Sequence, residues 1–444
     1  MNPVYLSLSA MLFIAQLVLP RKFAFLPLVF AACHMGSEEI IPQLTVARTL
    51  IIAGLARAMI SGFFVGPGRC KLDQVFYVFS FFLVLSTVGH TADEYFPSPF
   101  QARCGLVLNA FGAYLYARSY IPDIAAFLRY VRWLPLMLLP LAALMVVQKA
   151  TERSLYSVIG VGSDSAAIRE DKIRAQGSFK HPILAGCSGA TALPLAVLLW
   201  YQRKRALSAL AIAVTMTITL ASASSGPLAA VAVSFASILL WRWRHHLKSF
   251  LWLALCLGIF YTVIKGRGPW YIMSSLDLVG GSTGWHRAKL MDQGWTYLSD
   301  WWLFGTDYTR HWMSSGTRWN PNMVDLTNYY LHLGVTAGLS AMLSLIAMIV
   351  VGFRLLWLRM KELRQASSID ERVLWSAGAS LAAHALAFVA ISYFDQMYIF
   401  FYVLLGTIPG LVSSPMRDAL GVDAVNVTRS TASCVRDRRE VVKG

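Results

Sequence analysis

The stretch from Lys265 to Asp325 reads KGRGPWYIMSSLDLVGGSTGWHRAKLMDQGWTYLSDWWLFGTDYTRHWMSSGTRWNPNMVD. It is the one long polar segment in an otherwise apolar chain. It holds half of the Trp residues: Trp270, Trp285, Trp295, Trp301, Trp302, Trp312 and Trp319. Six Lys/Arg stand against five Asp, so the segment is nearly neutral and carries no strong bias to stay on the cytoplasmic side. A segment like this reads as a large extramembrane loop that roofs a membrane domain.

The remaining composition agrees. Of 444 residues, 57% are hydrophobic, 14% are charged, and mean hydropathy is +0.55. An average soluble domain is about 25% charged. The net charge of +16 would suggest nucleic acid in a soluble protein. Here the cations cluster in short turns between apolar runs, so membrane orientation accounts for them and no nucleic-acid partner is expected. The six Cys form no C-x-x-C pair and sit mostly in apolar runs, which predicts buried small hydrophobes. The first residues, MNPVYLSLSAMLFIAQLVLP, lack a basic n-region, and Arg21-Lys22 follow the apolar run. That order predicts a first transmembrane helix rather than a cleaved signal peptide.

A bilayer core takes about 20 apolar residues per helix. Candidate spans lie near 3–19, 23–36, 44–63, 73–90, 103–118, 131–149, 182–200, 206–221, 226–241, 249–264, 327–352, 373–393 and 395–412. The expected fold is therefore an all-α polytopic membrane protein of 12–13 transmembrane helices, the count turning on the short second run. Its parts are residues 1–264 with ten spans, the loop 265–325, the last spans within 326–412, and a basic tail 413–444. The basic turns, such as Arg203-Lys204-Arg205 and Arg242/Arg244/Lys248, fall on alternate sides of successive spans. One face collects nearly all of them and is taken as cytoplasmic, together with the tail. Asn426-Val427-Thr428 matches a glycosylation sequon by chance there. The opposite face holds residues 36–43, 91–102, 150–181, the tight turn 222–226 and the large loop.

Three arginines map to that outer face. Arg48 lies about one turn inside the third span, Arg174 in IRAQGSFKHPILAG and Arg287 in GSTGWHRAKL. An Arg inside a membrane helix is costly unless it meets a partner or a wet cavity. Guanidinium groups converging from separate segments suit a phosphate or diphosphate, because the planar fork donates two hydrogen bonds to one oxyanion. For Arg48 the plainer alternative is a cation that snorkels to lipid headgroups. In the second outer loop Gly177 loosens the chain, and Pro182 can open a helix that Arg174 and His181 flank. The plain alternative makes Lys180 and His181 interface anchors.

In the large loop, Ser282 or Thr283 can cap a helix starting near Trp285. Ala288, Met291, Trp295 and Leu298 then form one apolar stripe lying on the membrane surface, with His286 and Arg287 beside it. Asp325 and Asn328 are about one turn apart at the outer mouth of the next span. One residue among Asp325, Thr327 and Asn328 is expected to be a helix cap. The Trp residues suit an interface belt or a surface on which sugar rings stack. There is no Walker A, G-x-G-x-x-G, H-E-x-x-H or G-x-S-x-G, and no D-x-D pair in an outer loop. A metal-dependent diphosphate site is not expected.

The order of these pieces resembles the O-antigen ligase and O-antigen polymerase superfamily. The resemblance runs from Arg48 to the span after Asp325. It rests on Arg48, R-x-x-G-x-x-x-H-P at Arg174 to Pro182, S-S-G-P at Ser224 to Pro227, Arg287 followed by WWLFG, and D-x-x-N-Y-Y-L with a downstream V-T-A-G-L. The resemblance implies a C-type, metal-independent glycosyltransferase in the bacterial inner membrane, with its site facing the periplasm and no cofactor. It implies a donor glycan on undecaprenyl diphosphate, held by Arg48, Arg174 and Arg287. Ligases of the family carry a His-Asn pair before the post-loop helix. Here Asn328 matches the Asn, but Thr327 stands at the His position, with Asp325 two residues earlier. The base role then falls to Asp325, or to His286, His311 or His332, or the arginines act without one. Asp325 is favoured, with Arg287 and Asn328 beside it. His181, His286, His311, Trp301, Trp302 and Trp319 are candidate sugar or acceptor contacts.

The departure at Thr327 points toward exopolysaccharide polymerisation, with polysaccharide export or copolymerase proteins as further partners. The alternatives are an O-antigen ligase, using lipid A–core as acceptor, and a transporter or flippase of lipid-linked sugar. Scarce intramembrane charge and the lack of repeat halves speak against transport.

Overall fold

The computed structural model describes residues 2–41, 44–66, 68, 70–89, 98–275, 284–314, 321–363 and 368–415. Outside them lie Trp319, the caps Ser282 and Thr283, and nearly all of the basic tail with Asn426 and Cys434.

Helices occupy every region where an apolar run was expected. They are α1 Pro3–Val18, α2 Leu26–His34, α3 Val46–Ile60, α4 Lys71–Gly89, α5 Ser98–Val107, α6 Ala113–Tyr120, α7 Ile124–Thr151, α8 Pro182–Tyr201, α9 Arg205–Ala221, α10 Ser225–Leu240 and α11 Leu247–Lys265. The loop carries α12 Gly284–Thr296 and α13 Leu298–Trp301, followed by α14 Tyr329–Ala337, α15 Leu339–Leu363, α16 Ser368–Ala390 and α17 Met397–Ser413. A π-helical turn, Leu108–Gly112, joins α5 to α6. Among the described residues, strands form two hairpins, β1 Glu39–Ile41 with β2 Leu44–Thr45 and β3 Ala167–Arg169 with β4 Lys172–Arg174. The chain is an all-α polytopic membrane protein. Among the described residues, six helices are long and apolar enough to cross a membrane, with Ser225–Lys265 counted as one run. Three shorter apolar helices are α1, α9 and α17.

The interior is made by α8 and α17, whose side chains are buried almost throughout. α8 packs on α9, α10 and α16, while α17 packs on α6. Small residues allow this closeness. A Cβ on Gly189 of α8 would stand 2.5 Å from the Thr215 carbonyl oxygen of α9, and one on Gly406 of α17 would stand 2.5 Å from the Tyr114 carbonyl oxygen of α6. Asp73 shows how a buried charge is met inside the bundle. The Asp73 carboxylate, fully buried, accepts from Tyr114 Oη at 2.5 Å, from Arg118 at 3.2 Å and from the Gly68 amide at 2.8 Å. Among the cysteines, Cys33 and Cys187 are buried, but Cys104 and Cys256 lie on exposed helix faces, so only part of that expectation matches.

Two expectations are corrected. The span at 327–352 is not one helix, because it breaks at Gly338 (φ +90°) into α14 and α15. The cause is the large loop, whose backbone passes so close that a Cβ on Gly338 would stand 2.2 Å from the Leu303 carbonyl oxygen. Gly305 (φ +89°) faces the same junction, 2.5 Å from the Val335 carbonyl oxygen by the same measure. Backbone hydrogen bonds Thr306 N–H to Val335 O (2.7 Å) and Leu339 N–H to Trp302 O (2.8 Å) lock the two strips together. Arg103 adds a donor to Thr336 O at 3.0 Å and an ion pair with Asp307 at 3.1 Å.

The second correction concerns the loop helix. Ala288, Met291, Trp295 and Leu298 do not form one stripe along a single helix. α12 ends at Thr296, so Leu298 belongs to α13, and Trp295 is exposed. The buried face of α12 is Gly284, Arg287, Ala288, Leu290 and Gly294. Leu290 joins Trp301, Trp312, Val324, Leu326, Leu331 and Val335 in a core that the loop shares with α14.

Candidate active site

Two neighbouring spaces gather the polar groups on this side of the bundle. The first is an arginine recess. Its framework begins at the β3–β4 hairpin, where Glu170 and Asp171 both take positive φ (+49° and +57°), as a tight two-residue turn requires. The hairpin register delivers Arg174 at the end of β4, and Ala175 N–H bonds the Ala221 carbonyl at 3.1 Å. Arg174 thereby reaches the turn between α9 and α10 and donates to Ser224 Oγ at 2.7 Å. Ser224 in turn donates to the Ser222 carbonyl at 2.7 Å. Gly186 makes room, since a Cβ there would stand 2.4 Å from Ser222 Oγ and 2.7 Å from the Pro227 ring.

Arg287 enters the recess from the buried face of α12. Arg174 and Arg287 are each 8% exposed, and the Nε of each is buried with no partner. Among the described residues Arg287 makes no hydrogen bond and no ion pair. Burial lowers the pKa of both guanidinium groups, and the like charge of Arg169, at the end of β3, adds to this. Two nearly buried cations with unused donors are an expensive arrangement in the absence of an anion.

Asp325 borders the same recess. Its side chain remains exposed by area, yet the crowd of neighbouring groups raises its pKa, opposed by His286 and then Arg287. His286 Nε2 lies 3.4 Å from the Asp325 carbonyl oxygen. No hydrogen bond to the Asp325 carboxylate is present among the described residues. Asn328 is the cap: its Oδ1 accepts from Leu331 N–H at 3.1 Å, and its Nδ2 faces Met291 Sδ at 3.5 Å. His181 is likewise a cap, at the start of α8.

The second space is an open cavity of about 650 Å³. Its lining includes Arg48, Asn109, Lys180, Asn322, Tyr329 and Asp395. Arg48 stands here, apart from the other two arginines. Its Nε donates to Asn109 Oδ1 at 2.7 Å, and it hydrogen-bonds the Tyr398 phenol. Asp395 has positive φ (+59°) and accepts from Lys180 N–H at 2.8 Å. Burial pushes its carboxyl up to about 6. The recess and the cavity are joined by neighbouring residues of the chain. Lys180 lines the cavity and His181 the recess; Asn322 and Tyr329 line the cavity, with Asp325 between them.

No family model matches this chain, and no curated protein matches it.

The other expected contacts lie elsewhere. Trp301 is 2% exposed and donates from Nε1 to the Gly294 carbonyl at 3.0 Å, so it is core. Its neighbour Trp302 is exposed. His311 pairs with Asp300 at 3.1 Å and stacks on Tyr308, so its partners lie within the loop. Sequence reasoning did not single out Arg169, Arg103 or Asp395. Ser224 it carried only as part of the S-S-G-P turn.

Gly105 gives a test of Arg48. A Cβ there would stand 2.6 Å from one terminal nitrogen of Arg48 and 2.9 Å from its central carbon. The clashing atoms are the far end of a long side chain rather than backbone, so Gly105→Ala is expected to move the guanidinium out of place with little loss of stability. Thermal melting within a few degrees of wild type, beside a clear fall in any activity that needs Arg48, is the expected pair. Unchanged activity would remove Arg48 from the site.

Proposed function

We propose that this protein transfers a lipid-linked glycan onto a sugar hydroxyl at the outer face of a bacterial inner membrane, polymerising undecaprenyl-diphosphate-linked repeat units into exopolysaccharide. The observation that carries the reading is the pair Arg174 and Arg287: nearly buried, from separate segments, with unpartnered Nε atoms. Such a pair complements a diphosphate, and the adjoining cavity has room for sugar units. The proposal includes 12–13 membrane crossings, the basic turns in the cytoplasm and the large loop in the periplasm.

In the proposed step the Asp325 carboxylate accepts the proton of the acceptor hydroxyl. The hydroxyl oxygen forms a bond to the anomeric carbon of the donor sugar. The bond from that carbon to the diphosphate oxygen breaks, and its electron pair leaves with the lipid diphosphate. Arg174 and Arg287 neutralise the charge that grows there. Crowding raises the Asp325 pKa toward the operating pH, which suits a proton acceptor. Asn328 shapes the start of α14 and so holds Asp325 in place. Arg48 serves the glycan end of the cavity.

The test is made in cells that produce the polymer. Arg174→Ala, present in the membrane at wild-type level, is expected to lose high-molecular-weight polysaccharide while lipopolysaccharide ladders stay normal. Full-length polymer from this variant would sink the site. Altered ladders with normal exopolysaccharide would favour lipid A–core as the acceptor.

A further inference from the structure

We propose that His181 is a neutral hydrogen-bond donor of the anion site, presenting Nε2–H to the same diphosphate that Arg174 and Arg287 hold. This rests on the functional reading above. The backbone comes first. Pro182 has no N–H, and the Ile183 amide donates to His181 Nδ1 at 3.1 Å. The next two amides, of Leu184 and Ala185, are directed at the His181 carbonyl at 3.0 and 3.3 Å. The start of α8 therefore has no backbone donor left in its first turn, and a ligand there must be met by side chains.

The cap also decides the imidazole's chemistry. Nδ1 accepts from an amide, so its lone pair is occupied and the proton of the neutral ring resides on Nε2. No hydrogen bond occupies Nε2 among the described residues. Burial, and then the charges of Arg174, Arg169 and Arg287, push the ring's pKa down to about 4. The ring is thus uncharged at physiological pH, with one lone pair committed and one N–H to give. It cannot be the proton acceptor of the reaction, and it can donate. The surrounding groups indicate what it donates to. Arg174 and Arg287, each 92% buried and each with an unpartnered Nε, act electrostatically on this ring. A neutral donor beside two cations adds a contact to a phosphoryl oxygen without adding a third like charge to the recess.

Two substitutions separate the cap from the donor. Asn is among the best helix caps and keeps an oxygen for the Ile183 amide, but it has no group at the position of Nε2. Gln carries an amide nitrogen near that position and gives up the cap. The full chain, in lipid nanodiscs, is titrated with inorganic pyrophosphate, and transfer from the lipid-linked donor is measured alongside. His181→Asn is expected to melt like wild type and bind pyrophosphate about 10- to 100-fold more weakly, the worth of a hydrogen bond to a charged group. His181→Gln is expected to melt lower and to keep affinity within about threefold of wild type. Wild-type affinity in His181→Asn would overturn the inference and leave the arginine site standing. If wild type itself binds no pyrophosphate and Arg287→Ala keeps full transfer activity, the inference and the functional reading both fall.

Discussion

Replacing Arg287 with Met is expected to reduce glycosyl transfer by about 10²–10³-fold, the usual effect of removing one donor aimed at developing oxyanion charge. The same variant is expected to be at least as stable as wild type. Arg287 is 92% buried and has no hydrogen bond or ion pair among the described residues. A buried charged group without a partner costs on the order of 1–3 kcal/mol or more, and a Met of similar length fills the space without that cost. The two results together are diagnostic. A structural arginine would lose stability and activity in parallel, whereas a ligand-binding one trades stability for function. Thermal melting of the purified variant, beside transfer from a lipid-linked donor, measures both. A drop in melting temperature together with retained activity would refute the assignment. Arg287→Lys is expected to recover only part of the activity, because a point charge does not replace a planar fork.

Gly338→Ala is expected to have the largest effect on folding. Its φ of +90° is a conformation that side-chain-bearing residues rarely adopt, at a cost of about 1–3 kcal/mol. Beyond that, the added Cβ would meet the Leu303 carbonyl oxygen at 2.2 Å and its carbon at 2.8 Å. These are backbone atoms that cannot swing away. The loop must lift from the α14–α15 junction, and with it go the Thr306–Val335 and Leu339–Trp302 hydrogen bonds. The yield of monodisperse protein after detergent extraction should fall severely, and residues 298–312 should become open to limited proteolysis. Wild-type yield and protection would show that the junction is looser than its backbone contacts require.

How much of this was legible in the sequence follows from what each signal depends on. Apolar runs are local, so helices stand wherever a run was expected, from α1 to α17. The break at Gly338 was hidden because V-T-A-G-L reads as continuing apolar helix; only the Leu303 backbone, over thirty residues earlier, forces the glycine. Capping is local too, and one of the candidates at the outer mouth, Asn328, is the cap. The Arg174–Ser224 bond spans fifty residues, and no local pattern encodes it. Trp301 and Trp302 show the limit most plainly. They are the same residue type at adjacent positions, yet one is 2% exposed and the other 52%. Only the path of the short α13 decides which becomes core. Arg48 and Arg174 share a face of the molecule, but the tertiary path puts them in separate spaces.

One feature of the bundle bears on how the loop is held. No side chain of α11 is buried, and Leu251, Trp252 and Val263 are among its most open residues. Protein packing therefore does little to fix its tilt or depth. At 19 residues it is about 28 Å long, close to the roughly 30 Å of a bilayer's hydrocarbon core. Its length leaves hydrophobic matching as the available means of positioning it in a bilayer. Its last residue leads through Pro269–Ser275 to a clasp in which Trp270 and Tyr271 donate to Asp292 of α12, the helix that carries Arg287. The helix that delivers a guanidinium group to the recess is thus tied, through this clasp, to a helix that protein packing leaves uncovered among the described residues.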